Sequence, residues 1–282
     1  MSRLYAILLC LLLPAVCLAA TESEVKRTTE ATMLVTGSIV VNPDGSVHTY
    51  TLEQPDKLSS GVTQLLAQYV PKWRFEATRL VDQNNHPALA KAAMNVRLVL
   101  TEVSKDRYQL GIVGATFGAD QQDPKDISWK SRVVPTYPRE AVDDGVSGTV
   151  YLVVKVGQSG NVINAAVKQV DLRVVANSGA MQAYRRVLGD AALRAAQHWT
   201  FNVPQPLPGG NVRVPVNFSI SGLDKLVVYG EWQAYIPGPV EPVSWLDSDD
   251  KLANSSPDAI PDNGLLFMNN ERLVLQNPPS GG

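Results

Sequence analysis

The chain has 282 residues, of which 45% are hydrophobic, and it carries 25 basic and 27 acidic side chains. This length is sufficient for about two domains with a hydrophobic core each. The balanced charge excludes the strongly basic surface that is typical of proteins that bind nucleic acid or an anionic membrane.

Residues 1–20 have the layout of a secretory signal peptide: a positive start, an apolar run, a break at Pro14 and a small-residue end. Cleavage after Ala19 or Ala20 would remove both cysteines, Cys10 and Cys17, so we expect a periplasmic mature chain without disulfides or thiol ligands. Two alternatives stay open. An inner-membrane anchor would need ~20 apolar residues, and acylation at Cys17 would follow a poor lipobox. Membrane anchoring is therefore not expected.

Residues 33–104 predict a β-β-α-β unit. Strands at 37–41 and 47–52 flank the turn residues 42–45, and a third strand with alternating apolar residues covers 93–103. Between them, apolar residues recur three or four positions apart, which predicts a helix. These residues are Val62, Leu65, Leu66, Tyr69, Val70 and Trp73. Residues 105–132 are interpreted as a linker, within which 110–117 could add a strand.

Residues 133–222 predict the same order of elements. Strands at 148–156 and 162–170 flank a Gly-containing turn, and a final strand alternates over 212–220. A helical stripe lies between them and consists of Leu188, Ala191, Ala192, Ala195 and Trp199. Residues 177–179 are interpreted as a loop, and Asp190 is placed to cap the helical segment that carries Trp199.

A longer motif runs through this second unit. It begins as Pro-x-Tyr-Pro-x-x-Ala-x-x-x-Gly-x-x-Gly-x-Val at 135–150 and continues with Gly-Asn-Val at 160–162, Ala-Ala-Leu at 191–193 and Trp-Thr-Phe-Asn-Val-Pro at 199–204. The motif resembles the TonB C-terminal domain family, most clearly over 134–222. The resemblance implies a domain that passes inner-membrane energy to outer-membrane receptors by gripping a short receptor segment. It also implies that the last strand and the residues before Tyr137 make that grip, although Val134 stands where the transducer has a polar residue.

The two units share a Trp-x-Phe motif. Trp73-Arg74-Phe75 in the first echoes Trp199-Thr200-Phe201 in the second, which indicates an internal repeat. We therefore predict an α+β fold with two tandem units, each an antiparallel sheet with a helix packed across it. The first would be a diverged TonB-like copy at 33–104; the alternative is an unrelated β-β-α-β unit. Trp73, Phe75, Trp199 and Phe201 are predicted to be core anchors, since large aromatic residues on apolar stripes are usually buried.

The segment 223–282 is acidic and rich in proline. Its first part holds Tyr229, Trp232 and Tyr235 and is expected to dock on a domain. From Pro237 onward the composition is typical of an irregular tail.

The sequence gives no signal for catalysis. His48, His86 and His198 lack the spacing of metal ligands, and no Gly-x-Ser-x-Gly motif is present. We predict no catalytic residues, no metal and no cofactor.

Pro215 gives the clearest indication of a binding surface. A proline cannot donate to a β ladder, so its strand belongs at a sheet edge, where an extended peptide can add as a further strand. The predicted partner-binding residues are Val134, Pro135, Tyr137, Val212, Arg213, Val214, Pro215, Val216, Asn217 and Phe218.

The expected partner is an extended segment of an outer-membrane receptor or of another periplasmic protein. The expected function is TonB-like binding by strand addition, related to energy-dependent outer-membrane transport. The alternative is a soluble periplasmic interaction module without a role in energy transduction, because a convincing anchor and a long Pro/Lys/Glu-rich spacer are both missing from the sequence.

Overall fold

A computed structural model describes residues 21–276 except 23–24, 26–27, 77–85, 106, 119–125, 206, 208, 223–227, 247–255, 263 and 269–272. The predicted signal peptide at 1–20 lies outside the described residues. In the part that is described, the chain is α+β with antiparallel sheets, as the sequence predicts.

The first sheet is built around strand β1 (Glu30–Val41). Strand β3 (Ala90–Ser104) pairs along one side of β1, and strand β4 (Arg107–Gly118) pairs with β3 in turn. On the other side, β2 (Val47–Leu52) pairs with the second half of β1. Helix α1 (Ser60–Tyr69) connects β2 to β3, and Val62 and Leu66 of this helix lie in the core of the unit.

The second sheet is built around strand β6 (Gly148–Val156), which follows the short helix α2 (Arg139–Asp143). Strand β7 (Val162–Leu172) pairs on one side of β6 and strand β9 (Asn211–Phe218) pairs on the other. Helix α3 (Ser178–Ala196) crosses one face of this sheet. Beside it, the short strands β5 (Ser128–Ser131) and β8 (Thr200–Asn202) form a separate two-stranded ribbon.

The two units share a strand order, β2-β1-β3 and β7-β6-β9. They also share one contact between the first hairpin turn and the Trp-x-Phe segment. In the first unit the Phe75 N–H donates to the Gly45 carbonyl (2.9 Å), and in the second the Phe201 N–H donates to the Gly160 carbonyl (2.8 Å). The order and the contact agree with an internal repeat, but descent of the first unit from the same family stays a prediction.

All four residues of the two Trp-x-Phe motifs that were predicted as core anchors are buried: Trp73, Phe75, Trp199 and Phe201. The two Trp residues follow their helices instead of ending them, because α1 and α3 stop at Tyr69 and Ala196.

The start of α3 differs from the prediction. Asn177, which was interpreted as a loop residue, is the N-cap of the helix, and its side chain accepts a hydrogen bond from the Ala180 N–H (3.0 Å). The assignment of Asp190 as a cap was wrong because the helix passes through Gly189 and Asp190 without a break. Gly189 is buried there, and a Cβ at this position would press against the Val167 side chain.

The linker prediction for 105–132 was too broad. Strand β4, within this segment, belongs to the first sheet along nearly all of its length, as the weak strand signal at 110–117 suggested. Strand β5 belongs to the ribbon that covers Trp199, since Trp129 contacts that ring edge to face at 5.2 Å.

The tail docks as predicted over its first part and packs further than predicted over the rest. Strand β10 (Gln233–Tyr235) pairs with residues 30–32 at the start of β1. Beyond Pro237 the described residues are mostly irregular, as expected, apart from a two-residue strand at 266–267, yet several are buried. These are Val243, Asp258, Ala259, Ile260, Leu266, Phe267, Met268, Leu273 and Val274.

No helix within the described ranges combines the length and the apolar character needed to cross a membrane.

The shared turn contact allows a matched test of both units. Gly45 and Gly160 have φ of 83° and 82°, and a Cβ at either would overlap the carbonyl oxygen of Phe75 or Phe201. Gly222 has φ of 89° but open space around it. Gly222→Ala should therefore lower the free energy of unfolding by about 1–2 kcal/mol, the cost of placing an alanine in the left-handed conformation. Gly45→Ala and Gly160→Ala should both lower the free energy of unfolding by more, as measured by urea denaturation. A loss at either position no larger than that of Gly222→Ala would contradict the shared contact.

Candidate functional site

Strand β9 is enclosed along almost its whole length. Its alternating Val212, Val214, Val216 and Phe218 pack into the core under α3. Among the residues of the strand only Asn217 is exposed. A partner would therefore reach this strand directly only near Asn217, and elsewhere the residues that cover β9 would first have to move aside.

Pro215 fixes which way these groups point. It lies opposite Tyr151 in the ladder with β6, and no register shift interrupts the ladder between 211 and 218. Because proline has no N–H, its position must be one that faces away from β6. The N–H and C=O of one residue in an antiparallel strand point to the same side, and alternate residues point to opposite sides. Arg213, Pro215 and Asn217 therefore direct their main-chain groups to the outer edge.

The outer edge is not wholly free, contrary to the prediction. A two-residue strand of the tail, β11 (Leu266–Phe267), pairs there with Leu266 opposite Arg213 and Phe267 opposite Val212. No described strand pairs with the outer edge over 214–218. The tail strand was missed because a two-residue strand has no periodicity; the only signal is the apolar run Leu-Leu-Phe-Met at 265–268.

The segment 133–138, which we call the lead segment, runs to the other end of β9. The Val133 carbonyl accepts a hydrogen bond from Trp199 Nε1 (2.8 Å). The Tyr137 hydroxyl donates to the Val146 carbonyl (2.6 Å), and its ring meets Phe218 edge to face at 5.3 Å. Between these anchors Val134 is 80% exposed. The structure thus brings Tyr137 to the Phe218 end of β9, opposite the end that β11 occupies, whereas Val133, next to Val134, is held at Trp199.

Arg173 holds that end of the strand and was not predicted. Its Nη2 donates to the Phe218 carbonyl (2.6 Å) and to Asn217 Oδ1 (2.8 Å). It follows β7 in an irregular stretch, so its sequence position alone carried no indication of this contact.

A cluster of charged and phenolic groups lies where the tail meets both sheets. A polar cavity of about 30 Å³ is lined by residues from β3, β6, β7, β10 and the tail. Arg97 donates from Nε (2.9 Å) and Nη2 to the Asp258 carbonyl, and its Nε lies 3.6 Å from the Asp258 carboxylate. Burial by itself would lower the pKa of Arg97, but Tyr151 and Asp258 nearby raise it, so the guanidinium stays charged.

Asp171, on β7, faces the same cavity. Its Oδ1 accepts hydrogen bonds from Gln169 Nε2 (2.7 Å) and from the Gly238 N–H (2.9 Å). Burial, followed by the nearby Asp258 carboxylate, raises the pKa of Asp171 to about 7, although these two hydrogen bonds and Arg97 act in the opposite direction. The contact between the tail and the second sheet is therefore sensitive to pH.

Within the described residues, no three His, Cys, Asp or Glu side chains are grouped as a metal site would require.

Comparison with known proteins gives a family match for one part of the chain. Residues 133–220 match the model of the family described as Gram-negative bacterial TonB protein C-terminal. Neither the curated proteins nor the solved structures contained a match. The family match does not extend to 33–104, so the diverged first copy stays a prediction.

The raised pKa predicts how stability depends on pH. Between pH 3.8, the ordinary value, and about 7, the folded chain keeps a proton on Asp171 that the unfolded chain has released. Its contribution to stability is therefore fully present below pH 3.8 and is lost as the pH rises to about 7, by at most ~1.4 kcal/mol per pH unit. Asp171→Asn, which cannot ionise, should flatten this fall in urea denaturation at a series of pH values. An equal slope in both proteins would contradict the assignment.

Proposed function

Because residues 133–220 match the family model of the TonB C-terminal domain, we propose that this chain binds an extended segment of a protein partner by strand addition at the outer edge of β9. Domains of this family are non-enzymatic protein-interaction domains with a role in outer-membrane transport. The partner segment belongs to an outer-membrane receptor or to another periplasmic protein.

The observation that carries the proposal is the state of this edge. Beyond Arg213 the outward main-chain groups of Pro215 and Asn217 have no strand partner within the described residues, whereas the side chains of the strand are almost all enclosed. An extended segment can reach Asn217 directly, whereas pairing at Pro215 requires that the residues covering 214–216 move aside. Main-chain pairing supplies affinity in this binding mode, and neighbouring side-chain contacts supply specificity.

The lead segment is suited to supply such contacts. Val134 is exposed, and Tyr137, which contacts Phe218, and Trp199 hold the backbone on either side of it. A partner strand that runs along 214–218 meets the lead segment at Tyr137, and Val134 lies further along the same segment. We therefore assign Val134, Pro135 and Tyr137, together with 212–218, to the partner site.

A second candidate is a periplasmic interaction module that does not transmit energy. The observation that favours it is the first sheet: the chain ahead of the family domain folds into a unit of its own over most of 30–118. It also contacts the tail of the second unit through Arg97 and Asp258. A transducer that reaches across the periplasm needs a long extended spacer, which this arrangement does not resemble.

The outward N–H of Asn217 gives a direct test. Asn217→Pro removes this donor and should weaken binding by about 0.5–1.5 kcal/mol, the net value of one hydrogen bond, with little loss of stability. Asn217→Ala is the matched control, because it removes the same side-chain bond to Arg173 and keeps the N–H. Val216→Pro removes an inward donor and should instead destabilise the fold. Affinities are measured with synthetic peptides that cover the periplasmic segments of outer-membrane receptors.

Amide hydrogen exchange with the same peptides locates the contact. Binding should protect amides on the outer side of β9, Asn217 above all. Protection restricted to the lead segment or to the tail, or equal affinity of Asn217→Pro and Asn217→Ala, would refute strand addition at this edge.

A further inference from the structure

We propose that the tail residues 266–268 are a built-in occupant of the partner site, which a partner segment must displace. This inference rests on the proposed function. It adds a regulatory state of the site, closed by the chain itself, and it specifies the chemistry of the segment that opens it.

The tail segment already makes the contacts that strand addition requires. Leu266 and Phe267 pair antiparallel with Arg213 and Val212, far from them in the sequence. Phe267 is 3% exposed and lies in the core with the valines of β9. Met268, 2% exposed, packs on the opposite face of the sheet with Val153 and Val243. The tail segment therefore pairs with the main chain of β9, and its side chains pack on both faces of the second sheet.

This occupant defines the partner that fits. Successive side chains of a strand point to opposite faces of the sheet. A competing segment must therefore be extended, with a large apolar side chain in place of Phe267 under α3 and apolar neighbours in place of Leu266 and Met268. Without the first of these, the core under α3 would be left with a cavity beside Val212.

The closed state is held from the first unit. Arg97 donates to the Asp258 carbonyl, and Thr116 Oγ1 donates to the Ala259 carbonyl (2.6 Å). Gly114 of the same strand leaves room for Ser256, where a Cβ would collide with its side chain. These contacts fix the tail just ahead of β11, so the first sheet contributes to closing an edge that lies on the second.

The tail and a partner segment compete for the same edge of β9, and two quantities decide the outcome. An attached segment acts at an effective concentration that is high compared with a free peptide. The apparent affinity for a partner is lowered by the fraction of molecules whose edge is open. β11 pairs over two residues only, whereas a partner that runs along 212–218 could pair over the whole edge. A longer partner strand can therefore displace it.

The experiment uses the full chain and a synthetic peptide that copies residues 262–270. The variant Leu266→Gly/Phe267→Gly/Met268→Gly removes the apolar contacts of the occupant. It should bind the peptide at least ~10-fold more tightly than the unaltered chain, as an edge that opens from a minority state predicts. Val228→Gly/Val240→Gly changes exposed apolar residues of the tail and is the control, with unchanged affinity expected. Equal affinity of the triple variant and the unaltered chain overturns the inference.

A disulfide lock tests the same point if the triple variant fails to fold. Val212 and Phe267 are opposite each other in a pair that does not exchange ladder hydrogen bonds, where Cα atoms are close enough for a disulfide. Val212→Cys/Phe267→Cys is made in a chain with Cys10→Ser and Cys17→Ser. The oxidised form should not bind the peptide measurably, and reduction should raise the affinity at least ~10-fold. Binding that is equal in the two forms, or absent from the reduced form, overturns the inference.

The receptor peptides separate this inference from the proposed function. If they protect β9 amides equally in the oxidised and reduced lock, strand addition stands and the self-occupied state is wrong. If they protect β9 in neither form, strand addition itself is wrong.

Discussion

The structure depends on covering both faces of β6, whose nine residues are buried at all positions except Lys155. Helix α3 covers one face, through Leu188 and Ala192, and the tail covers the other, through Val243 and Met268. The face under the tail carries Thr149, Tyr151, Val153 and Lys155, and without the tail the buried Tyr151 and Val153 would be exposed to water. Docking of the tail covers these two side chains, and it carries β11 to the edge of β9.

Docking of the tail also buries charged side chains between the tail and the two sheets. Asp171, Arg97 and Asp258 come from the second sheet, the first sheet and the tail, and they meet in one small cavity. A buried carboxylate is tolerated there only when it is neutral or well paired, and the raised pKa of Asp171 reflects this. The contact between the two units thus depends more on pH than either hydrophobic core does.

Much of the fold could be predicted because its signals are local. Alternation identified β9, the apolar stripes identified α1 and α3, and Pro215 gave the side of β9 that faces outward. What could not be predicted depends on distant partners. Gly189 resembles a helix break in the sequence, and only the structure shows that the helix continues through it and packs closely on Val167. Likewise, a two-residue strand in a proline-rich tail has no pattern, so neither β11 nor the Arg173 contact was accessible from the sequence.

The central claim is that the outer edge of β9 receives extended segments, with the tail as the first of them. NMR couplings across hydrogen bonds test it most directly, since they identify donor and acceptor residues one by one. In the isolated isotope-labelled chain, a coupling should connect Arg213 and Leu266, which face each other across the outer edge. With a bound partner peptide this coupling should vanish, and couplings between the peptide and Arg213, Pro215 or Asn217 should replace it. An unchanged Arg213–Leu266 coupling, with none from β9 to the peptide, would contradict the account.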